Sequence, residues 1–236
     1  MKKVLILGGS SDIGLEVVKI FLDNDWKVFA HYNKNKKNLL KIKKKFQNLK
    51  LIKFNLSRYK DKDYLNKLKK SFKLNADSFI NLVGYTDGKS FSNTTLHHLV
   101  NTLKINTVIP IILQKYLIDT MLKNKWGRIL NCSGIGVKYG GGKFNYNYSL
   151  SQHTREFIPS VYKEWAQNNV LINNIRIGVT DTKLHKRVKK NMSKRINMIP
   201  IKRMATPNEI AIYIFKLSSE NNTYITGQTI TVSGGE

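Results

Sequence analysis

Four apolar residues, Val4-Leu5-Ile6-Leu7, pass directly into Gly8-Gly9-Ser10-Ser11-Asp12-Ile13-Gly14. Apolar residues without alternation suit a strand covered on both faces, as in a parallel sheet. Ser10, Ser11 and Asp12 are helix-capping types, and Leu15 to Leu22 carries helical apolar spacing. A strand, a tight turn with little side-chain bulk and a helix start together form a cradle for a diphosphate. Backbone N–H groups point at the ligand there, and the helix dipole favours its charge. Behind a buried strand, such a turn marks a nucleotide site.

Strand-like and helix-like segments then alternate along the chain. Strands are predicted at 3–7, 27–32, 50–55, 78–83, 127–132, 170–176 and 229–232. Helical spacing covers 13–24, 35–48, 61–74, 95–123 (bent or broken near Pro110), 148–168 and 208–219. This order predicts an α/β fold, a Rossmann-type doubly wound parallel sheet of about seven strands with helices on both faces. The ligand crevice then lies at the carboxyl ends of the strands, under the irregular stretches 84–93, 134–147 and 180–206. No linker or repeat divides the 236 residues, so one domain is expected over 1–236.

The net charge of +26 raises the question of nucleic acid. The excess is mostly lysine, scattered over helices as Lys41, Lys43, Lys44, Lys45, Lys67, Lys69 and Lys70, with no aromatic stacking platform beside it. Solvated lysine faces account for it, and no specific nucleic-acid partner is expected. The single Cys132 fits a reducing compartment. No apolar run reaches the roughly 18 residues a membrane span needs, and a strand starting at residue 3 or 4 leaves no room for a signal peptide. A cytoplasmic protein with no membrane partner and no metal site is expected.

Read in order, these segments resemble the short-chain dehydrogenase/reductase family, closest to the ketoacyl-carrier-protein reductase type. The glycine turn matches the family's cofactor turn, with Asp12 where its middle glycine stands. Asn81-Leu82-Val83-Gly84 matches the family's Asn-Asn-Ala-Gly segment, and Lys104-Ile105-Asn106 fits the position of its catalytic asparagine. Gly127 to Asn131 matches strand five. Ile177-Gly178-Val179-Thr180-Asp181-Thr182 fits the family's Pro-Gly-x-x-x-Thr loop, with Ile177 for proline. Pro200 to Arg203, Pro207 to Ile210, Tyr224 to Gln228 and Val232 to Gly235 follow as they do in the family.

The active site departs from the pattern. The family uses a tyrosine as general acid, a lysine one helical turn later, a serine and an asparagine. Tyr148-Ser149-Leu150-Ser151-Gln152 keeps the tyrosine but has Gln152 in place of the lysine. The serine position, seven residues after Gly127, is Gly134, and Ser133 stands one place short. Asn106 and Tyr148 remain, and Ser133 can serve only if the loop slips by a residue. Residues i and i+4 share a helix face, so a lysine at 152 would set an ammonium beside the phenol. Such a cation lowers an acid's pKa by about 1–3 units. Gln152 can hydrogen-bond a ribose but carries no charge. Arg155, two turns along on the same face, is expected at a surface or interface, and His153 is expected to be structural or exposed. Tyr139 and Lys143 satisfy Tyr-x-x-x-Lys literally, but the three intervening glycines argue against a helix there.

The resemblance implies a nicotinamide cofactor held by Gly8, Ser10, Ser11, Asp12, Ile13, Gly14, Asn33, Lys34, Asn55, Leu56, Asn81, Val83, Gly84, Gln152, Gly178 and Thr182. Tyr32 lies about where NAD-preferring members carry a carboxylate, and Lys34, Lys36 and Lys37 follow. NADP(H) is therefore favoured, with NAD(H) open. A basic segment at 183–203, with Lys183, Lys186, Arg187, Lys189, Lys190, Lys194 and Arg195, suits an anionic carbonyl or alcohol substrate, such as an acyl group on an acidic carrier or a nucleotide-linked sugar. Against that, residues 34–50 are equally basic with no substrate to explain them. A homodimer or homotetramer is expected from the resemblance. Two readings stand: a reductase with weakened or altered catalysis, and a cofactor-binding pseudoenzyme or partner subunit. A polyanion binder is the third.

Overall fold

A computed structural model describes residues 1–58, 62–73, 75–183 and 192–236. Seven parallel strands form one sheet in the order β3-β2-β1-β4-β5-β6-β7. They are β1 (Lys3–Leu7), β2 (Lys27–Tyr32), β3 (Leu49–Lys53), β4 (Ser78–Asn81), β5 (Gly127–Gly134), β6 (Val170–Ile177) and β7 (Thr229–Val232). The chain starts mid-sheet, winds outward to β3, and returns past β1 to continue through β4. Connections therefore diverge above β1 and β4, and a crevice opens at their carboxyl ends.

Strand alternation feeds two cores. Val4 and Ile6 pack with Phe21 of α1 (Asp12–Asp23) and with Ile210 and Ile214 of α9 (Pro207–Ser218). Leu5 and Leu7 face the opposite way, toward Leu68 of α3 (Tyr64–Ser71) and Leu113 and Leu117 of α5 (Ile109–Lys123). Burial on both faces is why β1 lacks a polar alternation.

The helices at 13–24 and 208–219 lie within a residue of their predicted bounds, and the other predicted helical stretches are shorter or broken. The stretch predicted at 35–48 narrows to α2 (Lys37–Lys43), and α3 falls within the predicted 61–74. The predicted 95–123 divides into α4 (Leu96–Leu103), a π turn at Lys104–Val108 and α5, so the irregularity precedes Pro110. Proline has no N–H to give the carbonyl four residues back, which belongs to Asn106, and its ring crowds that carbonyl; a widened turn relieves both. The predicted 148–168 also breaks, into α6 (Tyr146–Arg155) and α7 (Tyr162–Gln167). Pro159 disfavours a helical Ile158 and cannot bond the Arg155 carbonyl. Within the predicted 180–206 loop, Met192–Asn197 forms a short α8.

Candidate active site

The glycine turn is held from below by a histidine. His31 at the end of β2 is buried, its Nδ1 accepting from the Gly8 N–H at 3.2 Å and its Nε2 lying 3.0 Å from the Phe54 carbonyl. Those partners put the proton on Nε2, and burial drives the pKa down to about 4. Gly8 has φ +79°, and a Cβ there would lie 3.0 Å from the Leu82 backbone. A Cβ on Gly14 would lie 2.4 Å from the Gly8 carbonyl oxygen, so α1 can approach the turn only with glycine there. Ser11 caps α1: its Oγ accepts from Gly14 N–H at 3.0 Å and donates to the Gly8 carbonyl at 2.8 Å. Ser10 and Ile13 flank this cap, and the opening amides of α1 face the crevice end of the sheet.

Asp12, in the first turn of α1, has a partner the sequence reading lacked. Its carboxylate accepts from the Lys183 N–H at 2.7 Å and lies 3.6 Å from the Lys183 ammonium. The loop after β6 is thus strapped to the turn, with Thr182 beside the strap. Gly178 starts that loop, its N–H donating to the Val232 carbonyl at 2.9 Å. A groove of about 450 Å³ lies alongside, lined in part by Asp12, Lys19, Lys41, Thr182 and Lys183, and does not include Tyr148.

Beyond β2 and β3 the placements are mixed. Tyr32 is buried, while Asn33, Lys34, Lys36 and Lys37 are exposed. Asn55 folds onto its own loop, its Oδ1 accepting from the N–H and Oγ of Ser57 at 3.0 and 2.8 Å. Leu56 is buried in the adjacent core. Asn81 accepts from the Val83 N–H at 3.2 Å, and its buried Nδ2 has no partner among the described residues.

Tyr148 stands in the first turn of α6, over the ends of β4 and β5. A Cβ built on Gly134 would meet its Oη at 3.7 Å and nothing else within 4 Å. A Cβ on Gly84 would meet the same hydroxyl at 3.8 Å. Position 134 is therefore the one that faces the phenol, and it carries no donor. Ser133 does not compensate, since the loop is not slipped and the hydroxyl points elsewhere. Strand alternation sends its hydroxyl to the Glu156 carboxylate, which is also paired with Arg176. Gln152 lies one turn along α6 from Tyr148. It is 1% exposed, and both its Nε2 and Oε1 lack partners among the described residues. A buried amide is costly to leave unpaired, and ribose hydroxyls fit it as donor and acceptor.

Asn106 sits in the π turn and clamps the loop after β4. Its Oδ1 accepts from Tyr85 N–H, and its Nδ2 donates to the Tyr85 carbonyl and Ser151 Oγ, all at 2.8 Å. Asn147, beside Tyr148, donates to Asp87 at 2.7 Å and so ties α6 to the same loop.

Arg155 corrects the sequence reading most. It is 4% exposed rather than at a surface. Its Nε and Nη2 donate to the Asn106 carbonyl at 2.9 and 2.6 Å, its Nη1 to Cys132 at 2.7 Å, and its Nη2 to Val83 at 2.6 Å. Hydrogen bonds to a charged group stabilise by about 1.5–3 kcal/mol each and offset the desolvation of the guanidinium. Burial lowers the guanidinium pKa, though such a group stays protonated in proteins, and it pushes the Cys132 thiol up to about 12. Burial raises the Tyr148 phenol too, and the Arg155 charge pulls it back down. His153 is exposed, as expected, and Tyr139 lies at the end of a 3-10 turn, not in an α-helix.

Of the basic segment, Lys186, Arg187, Lys189 and Lys190 lie outside the described residues. Arg195 pairs with Glu236 at 2.6 Å, and Arg203 with Glu209 at 2.7 Å.

Comparison with known proteins decides the family. The family profile described as enoyl-(acyl carrier protein) reductase matches residues 8–236. The chain belongs to the short-chain dehydrogenase/reductase family. As a member, it is 34% identical over 165 residues to a 3-oxoacyl-acyl-carrier-protein reductase of Buchnera aphidicola subsp. Schizaphis graminum, a match covering 69% of this chain and 67% of that protein. Two solved structures share the fold. One is a 3-oxoacyl (acyl-carrier-protein) reductase from Agrobacterium tumefaciens with NADP bound, at TM-score 0.87 and 18% identity, covering 100% of this chain and 94% of that one. The other is a 4-hydroxyisoleucine dehydrogenase complexed with NADH, at TM-score 0.86 and 24% identity, covering 100% and 98%.

Proposed function

We propose that this family member moves a hydride between NADP(H) and the carbonyl or hydroxyl carbon of a small substrate, with Tyr148 as the proton donor or acceptor. One observation carries the reading: the Tyr148 phenol faces Gly84 and Gly134 at the ends of β4 and β5, one helical turn from the buried Gln152 amide, which lacks partners among the described residues. When bound, a reduced nicotinamide supplies the hydride. Gln152 holds the ribose beside it, the opening amides of α1 receive the diphosphate, and Asn81 and Thr182 lie along the path. In the reducing direction, Tyr148 Oη gives its proton to the substrate oxygen as charge develops there. The empty donor position at Gly134 removes one bond to that oxygen, an effect on the order of 10²-fold. Turnover is slow for the family.

NADP(H) is favoured over NAD(H) because β2 ends in a buried Tyr32 with no carboxylate, followed by the exposed Lys34, Lys36 and Lys37. Support for an anionic substrate is thin, since Arg195 and Arg203 are committed to Glu236 and Glu209. A homodimer or homotetramer is supported by the exposed Val108 and Ile111 on the α5 side and Leu150 and Phe157 at α6. Among the described residues no helix is long and apolar enough to cross a membrane, and a buried lone thiol suits the cytoplasm.

Titration of NADPH and NADH by fluorescence tests the cofactor, and a panel of ketones, acyl thioesters and sugar-linked carbonyls tests turnover. If neither nucleotide binds at millimolar concentration, the reading is overturned. The second reading, a cofactor-binding pseudoenzyme or partner subunit, is favoured by Gly134 and Gln152 themselves. It prevails if the wild type binds nucleotide but only Gly134→Ser/Gln152→Lys turns over.

A further inference from the structure

We propose that Arg155 supplies the positive charge that prepares the Tyr148 phenol for proton transfer, acting as a positioning residue from beneath the crevice floor in place of a cation at position 152. The proposal rests on the reductase reading for its purpose, and on the following geometry for its substance. Tyr148, Gln152 and Arg155 occupy one face of α6, at spacings of four and three residues. The Arg155 guanidinium is fastened to the carbonyls of Val83 and Cys132. Those residues lie one and two positions before Gly84 and Gly134, whose built Cβ atoms reach the phenol oxygen. The guanidinium therefore sits one to two residues down the same two strand ends from the positions that face the phenol.

Its charge is not spent on an acid. All four of its bonds run to main-chain carbonyls, and among the described residues no carboxylate bonds to it. Its neighbour Glu156 is held by Arg176 and Ser133. Arg128 provides the contrast. It too is buried and donates to carbonyls, at the opposite end of β5, but it feels the carboxylate of Glu220. What Arg155 feels is Tyr148 and Cys132.

The fold makes room for it by a specific device. Pro110 cannot bond the Asn106 carbonyl, and that freed carbonyl accepts two of the four Arg155 bonds. Several other ionisable groups on the elements around Tyr148 are committed or neutral. Asp87 is bonded to Asn147, Glu156 is paired, and the Cys132 thiol is held protonated by burial. Lys104, in the π turn, has its own interaction. Tyr85 and the exposed Lys89 lie on the loop after β4, and the exposed Lys138, Lys143, Tyr146 and His153 on the chain from β5 through α6.

The test reads the phenol itself in the cofactor-free protein, by ¹³C NMR titration of ring-labelled tyrosine with Tyr148→Phe to assign the signal. Arg155→Met raises the Tyr148 midpoint by about 1–3 units, Arg155→Lys preserves part of the depression, and Arg155→Met/Gln152→Lys restores it. A rise of less than about one unit in Arg155→Met overturns the proposal. Should Arg155→Met not fold, Gln152→Lys in the otherwise unchanged chain decides. A fall of less than about one unit supports a cation already in place, and a larger fall overturns it. Because no turnover is measured, a wild type that reduces nothing would sink the reductase reading and leave this one standing.

Discussion

At the scale of single residues, the site is defined by what position 134 lacks. Its backbone is extended (φ −116°, ψ 152°), and a Cβ meets only the Tyr148 hydroxyl within 4 Å, so a serine fits without repacking. Gly134→Ser should raise kcat/KM for carbonyl reduction by about tenfold or more, measured by NADPH oxidation, because it adds a donor where charge develops. His31 carries a second prediction. Its folded pKa of about 4 lies below the ordinary 6.5, so between those values the unfolded chain takes up a proton that the folded protein refuses. Stability is therefore full above pH 6.5 and falls by about 3 kcal/mol as pH drops toward 4. Urea midpoints between pH 7 and 4 should show that slope in wild type and a flatter one in His31→Gln. Some of this was legible from spacing alone: counting seven from Gly127 finds position 134, and the structure turns that position to the phenol. The roles of His31 and Arg155 were not. Each depends on partners 23 to 72 residues away, and nothing local distinguishes a buried arginine on an amphipathic face from an exposed one.

Among the elements, the strands followed their apolar runs closely because burial on both faces leaves few sequence alternatives. Two of the long helices did not, because two prolines and a carboxylate redirected them. A periodic pattern reports which face is apolar, not whether the backbone ladder survives Pro110 or Pro159. Glu156 shows the competition: its carboxylate is taken by Arg176 and Ser133 and its carbonyl by Asn174 Nδ2 at 2.6 Å, which holds the chain where α6 ends. At α9 the local signals were unopposed. Thr206 and Glu209 form a reciprocal cap, with Thr206 N–H to the carboxylate at 2.8 Å and Glu209 N–H to the hydroxyl at 3.2 Å. Thr206→Ala should cost about 1 kcal/mol in urea denaturation with no change in the slope against denaturant. The glycine turn is less forgiving. Gly8→Ala forces φ +79° on a residue with a Cβ against the Leu82 backbone, and nucleotide affinity by fluorescence titration should fall at least tenfold.

For the whole molecule, the sheet order and the two cores it separates explain why a chain with a net charge of +26 still folds. Its lysines lie mainly on exposed helix faces, where their mutual repulsion is open to screening. Thermal midpoints should climb as salt is raised from 0.1 to 1 M, where the screening length shrinks from about 10 to about 3 Å. A midpoint indifferent to salt would show that the charges are already neutralised among themselves. The same crowding of cations gives the strap between Asp12 and Lys183 a further meaning. Under the proposed function, an incoming diphosphate would bring negative charge to the doorway where Asp12 already stands, with Lys183 holding that acid. On the proposed reading, entry would be an exchange of anions on one ammonium, and the rate of nucleotide capture would depend on how readily the doorway acid lets go.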